Sequence, residues 1–358
     1  MNLDIKLQSI LADALTPVGI YLNIREKYKN TLLLESSDYH SNKHHYSYIC
    51  FEPIASFKVI KGHITSSKLD KETLNKKIND KQEVIRELGN FARSFKGEKL
   101  DNEFMTNMIL GYTTYESVEY FEDITLNASA DEGRSIPELY YQLFKYILVY
   151  NHKNNQLHIV ENSPKGEVSK IDEVIDFISK PFVGINNTSF NTVGEIHSNL
   201  TDQEYMDMVD KGIKHCLRGD VFQIVLSRRF SQKYEGDLFK VYRSLRSVNP
   251  SPYLFYFDYE DYKIVGSSPE AQLVVSNNNA IIHPIAGTFK RTGNDKQDYD
   301  LAKKLFDDEK ENSEHVMLVD LARNDLSRHG HKVHVTSFKD IQFYSHVCLL
   351  YTSDAADD

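Results

Sequence analysis

The chain has 358 residues, with 42 Lys and Arg against 52 Asp and Glu and a formal net charge of −10; such an acidic balance argues against a nucleic-acid-binding protein, which would carry a basic excess to meet phosphate. Hydrophobic residues make up 41% and charged residues 26%, the profile of a globular chain rather than a collagenous or disordered one, and the length suits two domains or one large one. No run of about 18 apolar residues offers a membrane helix, Asp4 and Asp13 interrupt any leader pattern, and Cys50, Cys216 and Cys348 are too few for a disulfide framework, so a cytoplasmic globular protein is expected.

In chain order, residues 31–35 (TLLLE) and 46–51 (YSYICF) read as short buried strands, being apolar, aromatic and β-branched. Residues 68–95 carry Leu74, Ile78, Val84, Ile85, Leu88 and Phe91 among many charges, the pattern of an amphipathic helix. Strands are expected at 108–115, at 147–150 and at 156–161, the last after the Asn154-Asn155 turn. Residues 181–200 are rich in Asn, Gly, Ser and Thr and read as a linker. Thr201 and Glu204 then form a capping box, and the helix it opens runs through Tyr205, Met208, Val209, Ile213 and Cys216 to a stop at Arg218-Gly219. Residues 220–230 (DVFQIVLSRRF) read as a strand with Gln223 on the face of Val225 and Ser227. Further strands are expected at 253–257, 263–265, 273–275 and 281–285. Sheet-rich segments interleaved with helices predict an α+β fold rather than a regular βαβ alternation.

Several chemical-looking signals weigh less than they first suggest. Residues 287–293 (GTFKRTG) superficially resemble a phosphate loop, but Asn294 stands where a Walker loop needs lysine. His329, His331 and His334 could be read as a metal group, yet strand alternation would send the last two to opposite faces, which favours a surface turn. Neither a G-x-S-x-G nor a G-x-C-x-G elbow occurs, so no hydrolase serine or glutaminase cysteine is placed. Cys216, on an apolar helix face, reads as core.

Three positions rise above the core pattern. Residues 266–270 (GSSPE) end a strand at a turn that lifts the Glu270 carboxylate to the rim of a sheet. Residues 284–288 (PIAGT) end another, with Gly287 allowing close backbone approach to a ligand. A helix over about 308–323 places Glu314, Met317, Leu318 and Leu321 on one face. A carboxylate on an apolar stripe is costly unless it is paired or binds a metal. A salt bridge from Glu314 to Arg323 or Arg228 and ligation of Mg²⁺ both stay open.

Segments 219–230, 249–257 (NPSPYLFYF), 264–270 (IVGSSPE), 284–288 and 314–326 (EHVMLVDLARNDL) together resemble the large, chorismate-binding subunit of anthranilate synthase. LLES at 33–36, followed by YS at 46–47, resembles that family's tryptophan-sensing segment. The likeness covers about residues 1–347. It implies a chorismate-utilising-enzyme fold of two large mixed or antiparallel β-sheets packed face to face with helices outside. It also implies an N-terminal tryptophan-sensing region over 1–185 and a chorismate-binding catalytic region over 190–347. The implied reaction is a lyase step, chorismate and ammonia to anthranilate and pyruvate, the first committed step of tryptophan biosynthesis. The implied cofactor is Mg²⁺, and a glutamine amidotransferase subunit is the implied partner and source of ammonia.

By the same resemblance Glu270 is the general acid that protonates the departing 4-hydroxyl, a role needing a raised pKa. Thr288 counts with it among the catalytic positions, Ala286, Gly287, Thr288 and Gln223 line the substrate, and Glu314 binds Mg²⁺. Sister enzymes that add water carry a lysine where this chain has Gln223, and aminodeoxychorismate synthases carry one where it has Ala286. Lacking both, the chain is expected to use free ammonia, with aminodeoxychorismate synthase or a non-catalytic tryptophan-binding remnant as the alternatives. Glu35, Ser36, Pro252, Tyr253 and Leu254 match the positions that hold inhibitory tryptophan; the competing reading is a buried strand end and a Pro-rich turn. The pattern SHVxH is broken by Leu349, and residues 348–358 (CLLYTSDAADD) have no counterpart in the family. The expectation from that departure is a C-terminally truncated, inactive product with a non-native tail.

Overall fold

The computed structural model describes residues 1–36, 46–98, 100, 102, 104–126, 136–180, 189–343 and 347–357, with backbone alone for Thr288, 342–343, 347–351 and 353–357. Packing divides the chain into one unit of Met1–Phe182 with Leu245–Asp358 and another of Val183–Ser244. The first unit begins with β1 (Asn2–Leu11), α1 (Pro17–Lys27), β2 (Thr31–Glu35), β3 (Tyr46–Ile60), β4 (His63–Lys68) and β5 (Lys71–Lys77). It continues through α2 (Gln82–Arg93), β6 (Lys96–Gly97), β7 (Ile109–Thr113), β8 (Leu139–Asn151), β9 (Gln156–Pro164) and α3 (Ile171–Ile178). The second unit holds β10 (Phe190–Ser198), α4 (Asp202–Leu217), β11 (Phe230–Gly236) and the start of α5 (Phe239–Val248). The first unit then resumes with β12 (Tyr253–Asp258), β13 (Lys263–Ser268), β14 (Val274–Ser276), β15 (Asn279–Ile282) and β16 (Ile285–Lys290). It ends with α6 (Asp295–Asp307), α7 (Glu309–His329), β17 (His331–Phe343) and β18 (Val347–Asp357).

Among the described residues, eleven strands make one sheet along the path β13-β12-β2-β3-β8-β9-β1-β6, with β4, β5 and β7 attached. Strands β14 to β18 form a second sheet and β10 with β11 a two-stranded ribbon. Large sheets with helices interspersed are the α+β class that the sequence predicts.

The eleven-stranded sheet is built on its middle strands. β8 is buried almost continuously from Leu139 to Tyr150, as a strand covered on both faces must be. Phe57, Val59, Ile64, Leu139, Val84 and Phe91 form one apolar cluster under α2, and Leu32, Cys50, Phe144, Ile147, Val149 and Phe257 form another. α1 starts where the Thr16 hydroxyl accepts the Gly19 N–H at 3.0 Å and Pro17 takes the first helical position, where its missing N–H costs nothing. It buries Ile20, Tyr21 and Ile24, and the Tyr21 ring meets Tyr256 of β12 edge-on at 5.8 Å.

That last contact reflects the connection on which the site depends. β12 lies between β2 and β13, with Leu254 opposite Glu35 and Tyr256 opposite Leu33, and with Leu254 opposite Ser267 on its other side. The strand resembling a tryptophan sensor, β2, and the strand leading to the expected catalytic acid, β13, therefore lie in one sheet with β12 alone between them.

Four local expectations are corrected. Residues 68–95 are not one helix: Leu69 and Asp70, both left-handed (φ 49° and 59°), close a two-residue turn between β4 and β5, and the helix is α2 alone. Leu74 and Ile78 misled because a spacing of four satisfies a period of 2 as well as 3.6. Within the expected linker, residues 190–198 form β10, paired with β11, while 181–188 lie outside the described residues. Residues 220–229 form no ladder, and Phe222 and Val225 are 96% and 87% exposed; apolar content without a partner strand does not make a strand. The strand expected at 281–285 is broken at His283-Pro284 into β15 and β16. By contrast the capping box stands as read, with Thr201 N–H to Glu204 at 2.8 Å and Glu204 N–H to Thr201 at 3.2 Å, and α4 stops at Arg218 before Gly219 (φ 77°).

The Phe255 ring lies over Gly266 so closely that a β-carbon there would stand 2.1 Å from its Cζ. Gly266→Ala is expected to cost about 1–3 kcal/mol by overpacking, read as a lower denaturant midpoint. Combining it with Phe255→Ala should cost less than the sum of the two singles, because the ring that clashes is then gone.

Candidate active site

β13 ends at Ser268, and Pro269 cannot extend the ladder. The Ser268 hydroxyl is 3.3 Å from the Glu270 N–H and 3.1 Å from its carbonyl, a local turn that fixes where Glu270 leaves the sheet. Behind it, the Ser267 hydroxyl donates to the Asn249 carbonyl at 2.6 Å and lies 3.0 Å from the Ser251 hydroxyl. Glu270 stands at an exposed turn, yet enough protein surrounds its carboxyl for desolvation to raise its pKa above the ordinary glutamate value.

The PIAGT segment, expected to end a strand, instead opens β16 (Ile285–Lys290), whose pairing with β18 slips between Ala286 and Thr288. The slip is a bulge at Gly287, whose φ of 67° suits glycine. A β-carbon at 287 would stand 2.8 Å from Leu305 Cδ1 and 3.0 Å from Glu311 Oε2. Ala286 beside it is buried, and the side chain of Thr288 lies outside the described atoms.

Glu311 is a residue that the sequence reading missed. The available signal was its spacing, three residues before Glu314 and hence on the same helix face. α7 starts at Asp308, which accepts the Glu311 N–H at 2.9 Å, and packs on β16, β17 and β18. Its buried stripe is His315, Val319, Ala322 and Leu326, one residue beyond the one expected; Glu314, Met317 and Leu318 are half-buried and Leu321 is exposed. Glu314 thus sits at the margin of the apolar stripe, where a carboxylate costs less than in its centre. The two arginines weighed as its partners are found elsewhere, Arg323 3.4 Å from Asp320 and Arg228 2.6 Å from Asp202. His315 is fully buried, bonded through Nε2 to Thr352, and burial lowers its pKa, so it holds α7 to β18 as a neutral ring.

Among the described residues, no group of three or more His, Cys, Asp or Glu is arranged to hold a metal. Glu311 and Glu314 nevertheless suit Mg²⁺. They are hard oxygen donors one turn apart, the first carboxylate bearing on a bulge kept clear by glycine, and Mg²⁺ commonly binds one or two carboxylates plus substrate oxygens. His331 and His334 are exposed. The phosphate-loop look of 287–293 is also explained: the Thr292 N–H, 2.7 Å away, and Arg291 Nε, 3.0 Å away, are both taken by Asp298, a carboxylate of the chain itself. These contacts, the Thr292 N–H first, hold its pKa low.

The five expected inhibitor positions meet at one corner, where β2 ends beside the start of β12. Glu35 is buried and its Oε2 is 2.9 Å from Arg246 Nε in the last turn of α5. Leu254, opposite it, is buried on the same face, whereas Tyr253 alternates to the other face and is 43% exposed. Ser36 and Pro252 are half-buried. Arg246 was not read from the sequence, which gave no local sign of a partner 211 residues away. Gln223 lies in the second unit, exposed, in the segment without a ladder.

The family model for chorismate binding enzymes matches residues 30–353. The chain belongs to the chorismate-binding enzyme family. Its curated relatives include anthranilate synthase component 1 of Bacillus subtilis (strain 168), 31% identical over 362 residues spanning 95% of this chain and 69% of that protein. The namesake of Aquifex aeolicus (strain VF5) is 30% identical over 352 residues, 94% of this chain and 70% of that one. Among solved structures, anthranilate synthase component I from Streptococcus pneumoniae TIGR4 superposes with a TM-score of 0.74 at 24% identity, covering 97% of this chain and 75% of that one. The menaquinone-specific isochorismate synthase of Escherichia coli superposes at 0.66 with 13% identity, covering 99% and 71%. Both share the fold. No helix among the described residues is long and apolar enough to cross a membrane.

The raised pKa of Glu270 has a testable sign. Well below the ordinary value of 4.5, wild type and Glu270→Gln are both neutral at 270 and should unfold alike. As pH rises through the pKa of Glu270, the wild-type carboxyl must ionise where desolvation opposes it, so stability falls relative to the variant. Chemical denaturation should therefore find Glu270→Gln the more stable near neutral pH only; the opposite order would show that the carboxyl is stabilised as an anion.

Proposed function

We propose that this member of the chorismate-binding family is the large subunit of an anthranilate synthase, converting chorismate and ammonia to anthranilate and pyruvate. The observation that carries the reading is Ala286, buried beside the Gly287 bulge. Where aminodeoxychorismate synthases present a lysine nucleophile, this chain offers a methyl group, and at 223 it offers a glutamine that cannot deprotonate water. With neither lysine, an external amine is left to attack the ring. The similarity to proteins named anthranilate synthase component 1 supports the same conclusion.

In this reading Glu270 acts as the acid. Ammonia forms a bond to the ring, the 4-hydroxyl leaves with the Glu270 proton, and elimination of pyruvate then restores aromaticity. A carboxyl whose pKa is lifted by desolvation holds that proton further towards neutral pH than an ordinary glutamate. Ala286, Gly287 and Thr288 line the ring, the bulge allowing the backbone to approach it. Glu314, joined by Glu311, would hold Mg²⁺, which when bound neutralises substrate carboxylate and stabilises developing charge. Ammonia is supplied by a glutamine amidotransferase subunit, and tryptophan inhibits by binding at Glu35, Ser36, Pro252, Tyr253 and Leu254. The division into a tryptophan-sensing region over 1–185 and a catalytic region over 190–347, with a cytoplasmic setting, belongs to the same proposal.

Incubation with chorismate, an ammonium salt and Mg²⁺ should yield anthranilate as whatever product forms, identified by its fluorescence and mass; a para-aminated or hydroxylated product would overturn the reading. Calorimetry should show chorismate bound at least about tenfold more tightly with Mg²⁺ than without, a difference of roughly 1.4 kcal/mol. Glu314→Ala and Glu311→Ala should each remove that enhancement while leaving the thermal midpoint near the wild-type value.

A further inference from the structure

Glu35 poses a problem for any ligand that must reach it. Its side chain is 1% exposed, and its carboxylate is already engaged by Arg246. The engaged oxygen is Oε2, so an amino-acid ammonium that takes it must compete with the Arg246 guanidinium. Arg246 occupies the last turn of α5, which ends at Val248, with the Asn249 N–H bonded to the Leu245 carbonyl at 2.8 Å. The next residues are the NPSPY turn, and two of them hold Ser267: the Asn249 carbonyl accepts its hydroxyl at 2.6 Å and the Ser251 hydroxyl lies 3.0 Å away. Ser267 precedes Ser268, whose hydroxyl sets the backbone of Glu270. A continuous series of short contacts therefore runs from Glu35 to Glu270 through Arg246, the end of α5, Asn249, Ser251 and Ser267, all within the first unit.

We propose that the Glu35–Arg246 ion pair is the ligand-free state of a switch, in which Arg246 competes with the ligand ammonium for Glu35 and Ser267 transmits the outcome to Glu270. This rests on the tryptophan-site reading above and deepens it. The ligand's ammonium replaces the guanidinium as counter-ion, so the buried carboxylate is never left uncompensated. The displaced Arg246 releases the last turn of α5, the NPSPY turn shifts with it, and the strand end carrying Glu270 follows through Ser267. A ligand moves such an equilibrium only by its differential affinity for the two states, and trading one counter-ion for another supplies that difference. Arg246 and Ser267 are positioning residues here; neither touches the reacting atoms.

The competition predicts a sign that a structural role for Arg246 would not. If Arg246 merely orients Glu35, removing it weakens tryptophan binding. If it competes, Arg246→Gln should lower the tryptophan Kd by about fivefold or more, with the thermal midpoint lowered in the apo protein and raised more by tryptophan than in wild type. Arg246→Lys, a less well-matched competitor, should fall between the two and covers the case in which the Gln variant does not fold. Amide exchange supplies the second readout. Tryptophan should change exchange over 249–253 and 266–270 in the wild type, and Ser267→Ala should keep the Kd within about twofold while losing the change at 266–270. Weaker tryptophan binding by Arg246→Gln, or an undiminished change at 266–270 in Ser267→Ala, overturns the switch and leaves the tryptophan site standing. Failure of the wild type to take up tryptophan at millimolar concentration overturns that site, and the switch with it.

Discussion

The pairing of β12 with β2 is the constraint on which the rest depends. Leu254 to Asp258 lie against Thr31 to Glu35 across more than two hundred residues of intervening chain. Such a ladder carries a large loop-closure cost, which grows only slowly with length and is offset by burial of Leu32, Leu33, Leu254, Tyr256 and Phe257. Because side chains alternate along strands, a slip of one residue would turn Glu35 and Leu254 to the opposite face and expose the core positions beside them. The apolar pattern thus fixes the register, and the register fixes where the polar groups stand. Glu35 is held opposite Leu254, Leu254 opposite Ser267, and Glu270 follows three residues on.

A second constraint shapes the other half of the candidate site. The five-stranded sheet and α7 meet at the Gly287 bulge, where the left-handed backbone and the nearness of Leu305 and Glu311 leave no room for a side chain. A regular strand there would place a β-carbon against the Glu311 carboxylate. Nearby, Asp298 gathers the Thr292 N–H, the Thr292 hydroxyl and Arg291 around one buried carboxylate. The Asp298 carboxylate is thus met by hydrogen bonds from the chain itself.

Where one local signal settled a structure, the sequence was sufficient. The Thr201 capping box, the Asn154-Asn155 turn before β9 and the strand at TLLLE needed no knowledge of distant chain. The failures share a cause. Leu74 and Ile78 fit two periods, and the turn at Leu69-Asp70 that chose between them uses two residues in left-handed conformations that composition does not announce. Residues 220–229 have the composition of a strand, but a ladder is a property of two segments. In α7 the stripe is offset by one residue from the face of Glu314, Met317, Leu318 and Leu321, because the packing against β16 to β18 selects His315. Arg246 was invisible for the same reason, since it matters through a contact with a distant segment, and Glu311 showed only through its spacing from Glu314.

The two glutamates joined by the sheet show how environment divides one residue type between two uses. Glu35 is almost wholly enclosed, and a buried carboxylate without a counter-ion is strongly destabilising; Arg246 meets that requirement. Glu270 stands at a turn where water still reaches it, and desolvation alone raises its pKa. A guanidinium beside Glu270 would stabilise the anion and draw its pKa down, spoiling a proton donor, whereas withholding one from Glu35 would leave a charge buried alone. The arginine belongs with the enclosed carboxylate for reasons of solvation before any consideration of function. The same separation leaves the exposed carboxyl able to hold a proton and makes the enclosed one a place where only another cation can substitute.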